Sequence, residues 1–178
     1  MTRLLLVRHG ETDWNADGRL QGQTDRPLSD FGRRQARRLA DELAAEDFEA
    51  VYSSDLARAR ETAEIVGARV GLPVMFDPDL REKDWGTWEG LTAVERDRIE
   101  FAGESTEAHQ ERILRALQRI SERHPGDRSV LVVTHGGSMR RVQTAALGMA
   151  LPVVENCGRW LCAYENGAFR AVSGAETT

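Results

Sequence analysis

The segment Leu4-Leu5-Leu6-Val7-Arg8-His9-Gly10-Glu11-Thr12-Asp13-Trp14-Asn15 passes abruptly from an apolar run to Arg-His-Gly. Four consecutive apolar residues suit a strand buried on both faces, as in a parallel sheet. Gly10 lets the chain turn sharply. Arg8 and His9 then stand at the carboxyl end of a central strand, where open α/β sheets hold their ligands. Arg8 offers a planar fork of donors suited to phosphate, and an imidazole beside it belongs to the side chains that form covalent intermediates. The tripeptide alone is a weak signal, because a histidine at a strand end is commonly structural. Its meaning depends on partners elsewhere in the chain.

One such partner repeats the pattern. Residues 129–134 form the strongest apolar strand of the sequence and run into His135-Gly136-Gly137-Ser138, followed by a helix expected over 138–148. Two such ends side by side would put His9 and His135 in one pocket, with the helix start offering backbone N–H groups to an anion. Between the two, Ser29 is placed to cap a helix over 30–46 with Ala36, Leu39, Ala40 and Leu43 on its apolar face. A strand at 50–53 leads to a helix at 55–70 capped by Ser54 or Asp55, and a third strand covers 73–76. A long helix runs from Ser105 to about Arg123. Residues 160–164 and 168–172 read as a hairpin around Asn166-Gly167, and 174–178 as a loose tail. Strands alternating with helices predict a three-layer α/β/α sandwich with a mostly parallel central sheet, as a single domain over 1–178.

The rest of the sequence narrows the function. Arg58 falls in the first turn of its helix, where a cation opposes the helix dipole unless an anion is near; in isolation, pairing with Glu61 is the ordinary reading. Residues 80–90 are aperiodic and rich in Trp and acids, as in a loop lining a site. His109 and His124 are expected at the surface. The net charge of −5 over 178 residues argues against nucleic-acid binding by general electrostatics. Arg33-Arg34, Arg37-Arg38 and Arg140-Arg141 read as solvated helix faces. No run of about 18 apolar residues predicts a membrane span, and no leader is evident, so a cytoplasmic location is expected. Cys157 and Cys162 lack metal or redox spacing and read as reduced structural thiols.

Taken together, the motifs resemble the histidine phosphatase superfamily, the phosphoglycerate mutase-like family. They are Arg8-His9-Gly10-Glu11-Thr12 with Asn15; Gln21-Gly22-Gln23-Thr24-Asp25 with Pro27-Leu28-Ser29; Ser53-Ser54-Asp55-Leu56-Ala57-Arg58-Ala59; Leu80-Arg81-Glu82 with Gly86 and Glu89-Gly90; and Thr134-His135-Gly136-Gly137. The resemblance implies that His9 is a nucleophile that becomes phosphorylated. It implies that Glu82 donates the proton to the leaving group. Arg8, Asn15, Gln21, Gly22, Arg58, His135 and the Gly136 backbone would surround the phosphate ester. Fixed cations can stabilise a phosphoryl group in transfer, so no metal and no cofactor are expected. The partner implied is a small phosphate ester, with no nucleic acid and no membrane; no feature sets an oligomeric state. Only 12 residues separate Gly90 from Gly103, where mutases of the family carry a much longer insertion. A mutase must exclude water from its intermediate, so the short segment favours phosphatase over phosphoglycerate mutase. A phospho-ligand binding module without catalysis is disfavoured by the presence of both His9 and Glu82.

Overall fold

The computed structural model describes residues 1–126, 128–149 and 151–172, so the expected tail at 174–178 lies outside the described residues. Six strands form one sheet: β1 (Thr2–Arg8), β2 (Phe48–Ser53), β3 (Val74–Phe76), β4 (Ser129–Thr134), β5 (Arg159–Glu165) and β6 (Ala168–Ala171). Their order is β3-β2-β4-β1-β5-β6. The β1–β4, β2–β4 and β2–β3 pairs are parallel, and β5 and β6 are antiparallel additions at one side. The helices are α1 (Asp13–Ala16), α2 (Asp30–Glu42), α3 (Ala57–Val70), α4 (Ala93–Arg96), α5 (Thr106–Arg123) and α6 (Gly136–Leu147).

Period-two alternation distributes the strands' side chains between two cores. Leu4, Leu6, Val130 and Val132 pack on one face with Ile113 and Leu117 of α5 and with Met139 and Val142 of α6. Val7, Val51, Leu131 and Val133 pack on the other with Leu39 of α2 and with Ala63 and Val66 of α3. Each of these valine, leucine, isoleucine and methionine side chains, sealed from water, contributes about 1.5–3 kcal/mol relative to exposure. The predicted sandwich is therefore the observed one, and the Asn166-Gly167 turn has positive φ at both residues, 52° and 80°, as a two-residue hairpin loop requires.

Three helix boundaries differ from expectation. α2 stops at Glu42 rather than 46, after a last turn that holds acids and no basic residue, so the dipole favours termination. α3 is not capped by Ser54 or Asp55: Asp25 reaches over from the 21–25 loop and accepts from Ala57 N at 2.7 Å. Asp55 instead forms a bidentate pair with Arg81, at 2.7 and 2.6 Å. α6 begins at Gly136, two residues early, with His135 in the extended conformation of an N-cap. Glycines at the first helical positions keep that end of the helix open to close neighbours.

Candidate active site

The β1–β4 register pairs Arg8 with Thr134. The residues that follow, His9 and His135, leave the sheet side by side with ring centroids 5.2 Å apart and edge-to-face. The neighbouring β2 end supplies Ser54, whose Oγ lies 2.9 Å from His135 Nε2. Three adjacent strand ends thus build the floor of a pocket of about 320 Å³. Arg8, His9, Asn15, Gln21, Gly22, Arg58, Glu82 and Gly136 all line it. His135, expected in the same pocket, packs against His9 but is fully buried and does not line the pocket.

The tautomer of His9 follows from its neighbours. Its Nδ1 is 2.6 Å from Gly10 O, which can only accept, so Nδ1 carries the proton. Nε2 keeps its lone pair and accepts from Arg58 Nε at 3.3 Å. Burial, reinforced by Arg58 and Arg8, holds His9 well below the ordinary imidazole value, and His135 likewise. His9 is therefore a neutral imidazole facing the pocket with its unprotonated nitrogen.

Arg58 is 1% exposed, not paired with Glu61, which is held by Arg33. Its remaining donors go to Thr24 O at 3.1 Å and Gly22 O at 2.6 Å. Gly22 has φ +55° and backs onto the Glu89 side chain, so a larger residue would be both strained and obstructed there. Glu89 ties this loop to the 80–90 loop by accepting from Gln23 N and Thr24 N at 2.8 Å and from Trp85 N at 3.2 Å. Burial pushes the Arg58 guanidinium down to about 10, still charged at neutral pH. Burial also lowers Arg8. Arg8 donates to Val154 O at 2.8 Å, and its Nε is buried without a partner.

Glu82 lies on the opposite wall. Its Oε2 accepts from Gly137 N at 2.8 Å and its Oε1 from Lys83 N at 2.9 Å. A Cβ at Gly137 would fall against this carboxylate. Arg112 braces the same segment by donating to Glu82 O at 3.1 Å and to Arg81 O and Asp79 O at 2.9 Å. Glu11, which directly follows the Arg8-His9-Gly10 turn, accepts from Ser29 Oγ at 2.9 Å.

Sequence reasoning missed or misplaced several residues of the site and its surroundings. Asn156 donates to His9 O at 3.0 Å and to Asn15 Oδ1 at 3.2 Å. Asn15 Oδ1 also accepts from Thr12 N, which leaves the Asn15 amide N–H groups free to donate into the pocket. His109, expected at the surface, is 2% exposed, with Nε2 3.0 Å from Ser138 Oγ and 3.7 Å from Glu82 Oε1. The reason is its position four residues before Ile113, on the buried stripe of α5. His124 is likewise not free at the surface: it meets Tyr52 Oη and Glu49 Oε1, each at 3.0 Å. Arg140 and Arg141, expected on a solvated face, line the pocket together with Lys83. They share a face of α6 with Gly137, three and four residues earlier. Among the described residues, no three His, Cys, Asp or Glu side chains come together as a metal site, and no helix is long and apolar enough to cross a membrane.

A parallel sheet whose strand ends present paired histidines and buried arginines defines an α/β enzyme of phosphate-ester chemistry. The sequence model of the histidine phosphatase superfamily (branch 1) matches residues 4–173, and the chain belongs to that family as a phosphatase. It is 42% identical over 162 residues to phosphoglycerate mutase-like protein 4 of Arabidopsis thaliana, covering 80% of this chain and 70% of that one. It is 38% identical over 161 residues to the metal-independent phosphoserine phosphatase of the same plant, covering 80% and 67%. The solved structure of Bacillus stearothermophilus YhfR superposes with a TM-score of 0.90 at 34% identity, covering 100% and 98% of the two chains.

Proposed function

We propose that the chain hydrolyses small phosphate monoesters in two steps through a phosphohistidine on His9. The lone pair of His9 Nε2 attacks phosphorus, the bond from phosphorus to the alcohol oxygen breaks, and that oxygen takes the Glu82 proton. Water then attacks phosphorus, the P–N bond breaks, and the water's proton goes to the Glu82 carboxylate. The observation that carries this reading is the state of His9: neutral, with Nδ1–H fixed by Gly10 O and Nε2 facing the pocket. Arg8 and Arg58 supply fixed positive charge for the equatorial oxygens, without reorganisation during the reaction. The Arg8 Nε, the Asn15 amide and the Gly136 N–H at the start of α6 are donors for the same group. His135, with its Nε2 at Ser54 and its Nδ1 unpartnered, supports the histidine that is phosphorylated.

Hydrolysis is favoured over a mutase by the 91–102 segment. It folds back on the neighbouring loop, with Trp88 Nε1 donating to Ile99 O at 2.9 Å and Thr87 N to Ala102 O at 3.1 Å. None of its residues lines the pocket, so water keeps access to the intermediate. The free thiols Cys157 and Cys162 fit the reducing cytoplasm.

The test is rapid-quench labelling with a 32P-labelled ester, in which an acid-labile phosphoryl group appears on the wild type and disappears in His9→Ala. Unchanged turnover by His9→Ala would overturn the mechanism. Rapid interconversion of 3- and 2-phosphoglycerate with negligible release of phosphate would overturn the choice of hydrolysis.

A further inference from the structure

We propose that Gln35, on α2 and outside the pocket lining, is a positioning residue for His9: it holds the peptide unit whose carbonyl decides which imidazole nitrogen carries the proton. The proposal deepens the phosphohistidine reading and rests on it.

The peptide units that follow β1 are held in different ways. In the unit joining His9 to Gly10, His9 O accepts from Asn156 Nδ2 at 3.0 Å and Gly10 N donates to Thr62 Oγ1 at 3.1 Å. In the unit joining Glu11 to Thr12, Glu11 O accepts from Ser29 N at 2.9 Å and Thr12 N donates to Asn15 Oδ1 at 3.1 Å. Both are pinned at each end by groups other than the imidazole. The unit between them has His9 Nδ1 on Gly10 O at 2.6 Å and, at its other end, Gln35 Oε1 accepting from Glu11 N at 2.9 Å. Among the described residues no other group takes that N–H. The unit is planar, so the side chain that aims Glu11 N–H also aims Gly10 C=O. α2 lies directly on this backbone: a Cβ at Gly32 would collide with Glu11 O and Glu11 N. Gln35, three residues further along the helix, sits on the same face.

The carbonyl so held has two tasks. In the resting site it keeps the proton on Nδ1 and the lone pair on Nε2. Arg58 favours the same tautomer, but through a longer bond of 3.3 Å and with a guanidinium that also serves the phosphoryl group. During attack, Nε2 bonds to phosphorus and the alcohol oxygen leaves with the Glu82 proton. The Nδ1 proton stays on a ring that has become cationic. A carbonyl oxygen aimed at that proton stabilises the developing charge more in the transition state than before it. Hydrogen bonds in series polarise one another, so the donation from Glu11 N to Gln35 makes Gly10 O the stronger acceptor.

Gln35→Met keeps the length and the helix propensity and removes the acceptor; Gln35→Glu keeps an acceptor oxygen in its place. Single-turnover phosphorylation should be about tenfold slower in Gln35→Met and within about twofold of wild type in Gln35→Glu. Inhibition by inorganic phosphate should be unchanged in both. A merely structural residue would not move the 15N spectrum of the imidazoles in the resting protein, where His9 is assigned by its absence from His9→Ala. Wild type and Gln35→Glu should show His9 with its proton on Nδ1, and Gln35→Met should show a second, populated form with the proton on Nε2. Gln35→Ala, also suited to a helix, takes the place of Gln35→Met if that variant does not fold. A wild-type rate in Gln35→Met, equal slowing in Gln35→Met and Gln35→Glu, or His9 signals unmoved by Gln35→Met would each overturn the proposal. His9 signals that follow Gln35 in a protein whose turnover survives His9→Ala would instead sink the phosphohistidine reading and leave Gln35 in control of the tautomer.

Discussion

Glu82→Gln isolates the proton from the geometry. The carboxylate accepts two backbone N–H groups, from Gly137 at 2.8 Å and Lys83 at 2.9 Å. A glutamine can accept only through its oxygen and turns an N–H toward the second donor, which costs about 1–3 kcal/mol of local stability. That penalty is common to all substrates. The lost proton is not: general acid catalysis typically contributes about 10²–10⁴ in rate, or roughly 3–5 kcal/mol at 1.36 kcal/mol per decade. An alkyl alcohol leaves poorly without it, whereas a nitrophenolate needs little help. Single-turnover phosphorylation of His9 in a rapid-quench instrument should therefore slow by about 10²–10⁴ with an alkyl phosphate and by less than about tenfold with p-nitrophenyl phosphate. Single turnover is needed because the same carboxylate receives the proton of water in the second step. Gly137→Ala, which crowds the carboxylate, should show the same selective loss in weaker form, while Asp84→Asn should not. Equal losses on both esters would make Glu82 a positioning residue, and the donor would have to be sought elsewhere.

His9, His135 and His109 are all held below the ordinary imidazole value, chiefly by burial. They bind protons on unfolding below about pH 6.5, so their contribution is complete above that pH and stability falls as the pH drops, by up to about 1.4 kcal/mol per unit for each. The urea midpoint should fall between pH 7 and pH 5, less so in His109→Gln, and a flat profile would refute the burial argument. Asn156→Ala frees Asn15 to rotate and should weaken inhibition by inorganic phosphate about tenfold, for a loss of about 1–2 kcal/mol; an unchanged inhibition constant would show that Asn15 is held by Thr12 alone. Exhaustive dialysis against EDTA should leave turnover intact, and a loss restored by magnesium or zinc would mean that the arginines do not suffice.

The strand ends were readable because each combines a buried apolar run with a glycine break, a local signal that needs no tertiary knowledge. Arg8, His9, Glu82 and His135 were legible together only through the ordered motifs, since nothing local brings residues 9, 82 and 135 to one place. The pocket mouth was hidden for a different reason. Arg140 and Arg141 look like any basic pair on an amphipathic helix, and only the true start of α6 at Gly136 sets which way they face. His109 was misjudged as polar and hence exposed, although its spacing from Ile113, Leu117 and Ile120 put it on the buried stripe. Asn156 and Asp25 act across the fold on partners more than 30 positions away, and no periodicity reports such contacts.

The pairing of β1 with β4 has a consequence for how this enzyme fails. The inner site is joined across the two most deeply enclosed strands, so it lasts as long as the sheet itself and should vanish only with global unfolding. The outer wall leans on Lys83 and the 80–90 loop, which belong to neither strand. Local opening there costs less than the whole fold. Under mild denaturant the chain should therefore lose Glu82, and with it the turnover of alkyl esters, before it loses the histidine pair at the floor, so that esters with acidic leaving groups outlast the others as substrates.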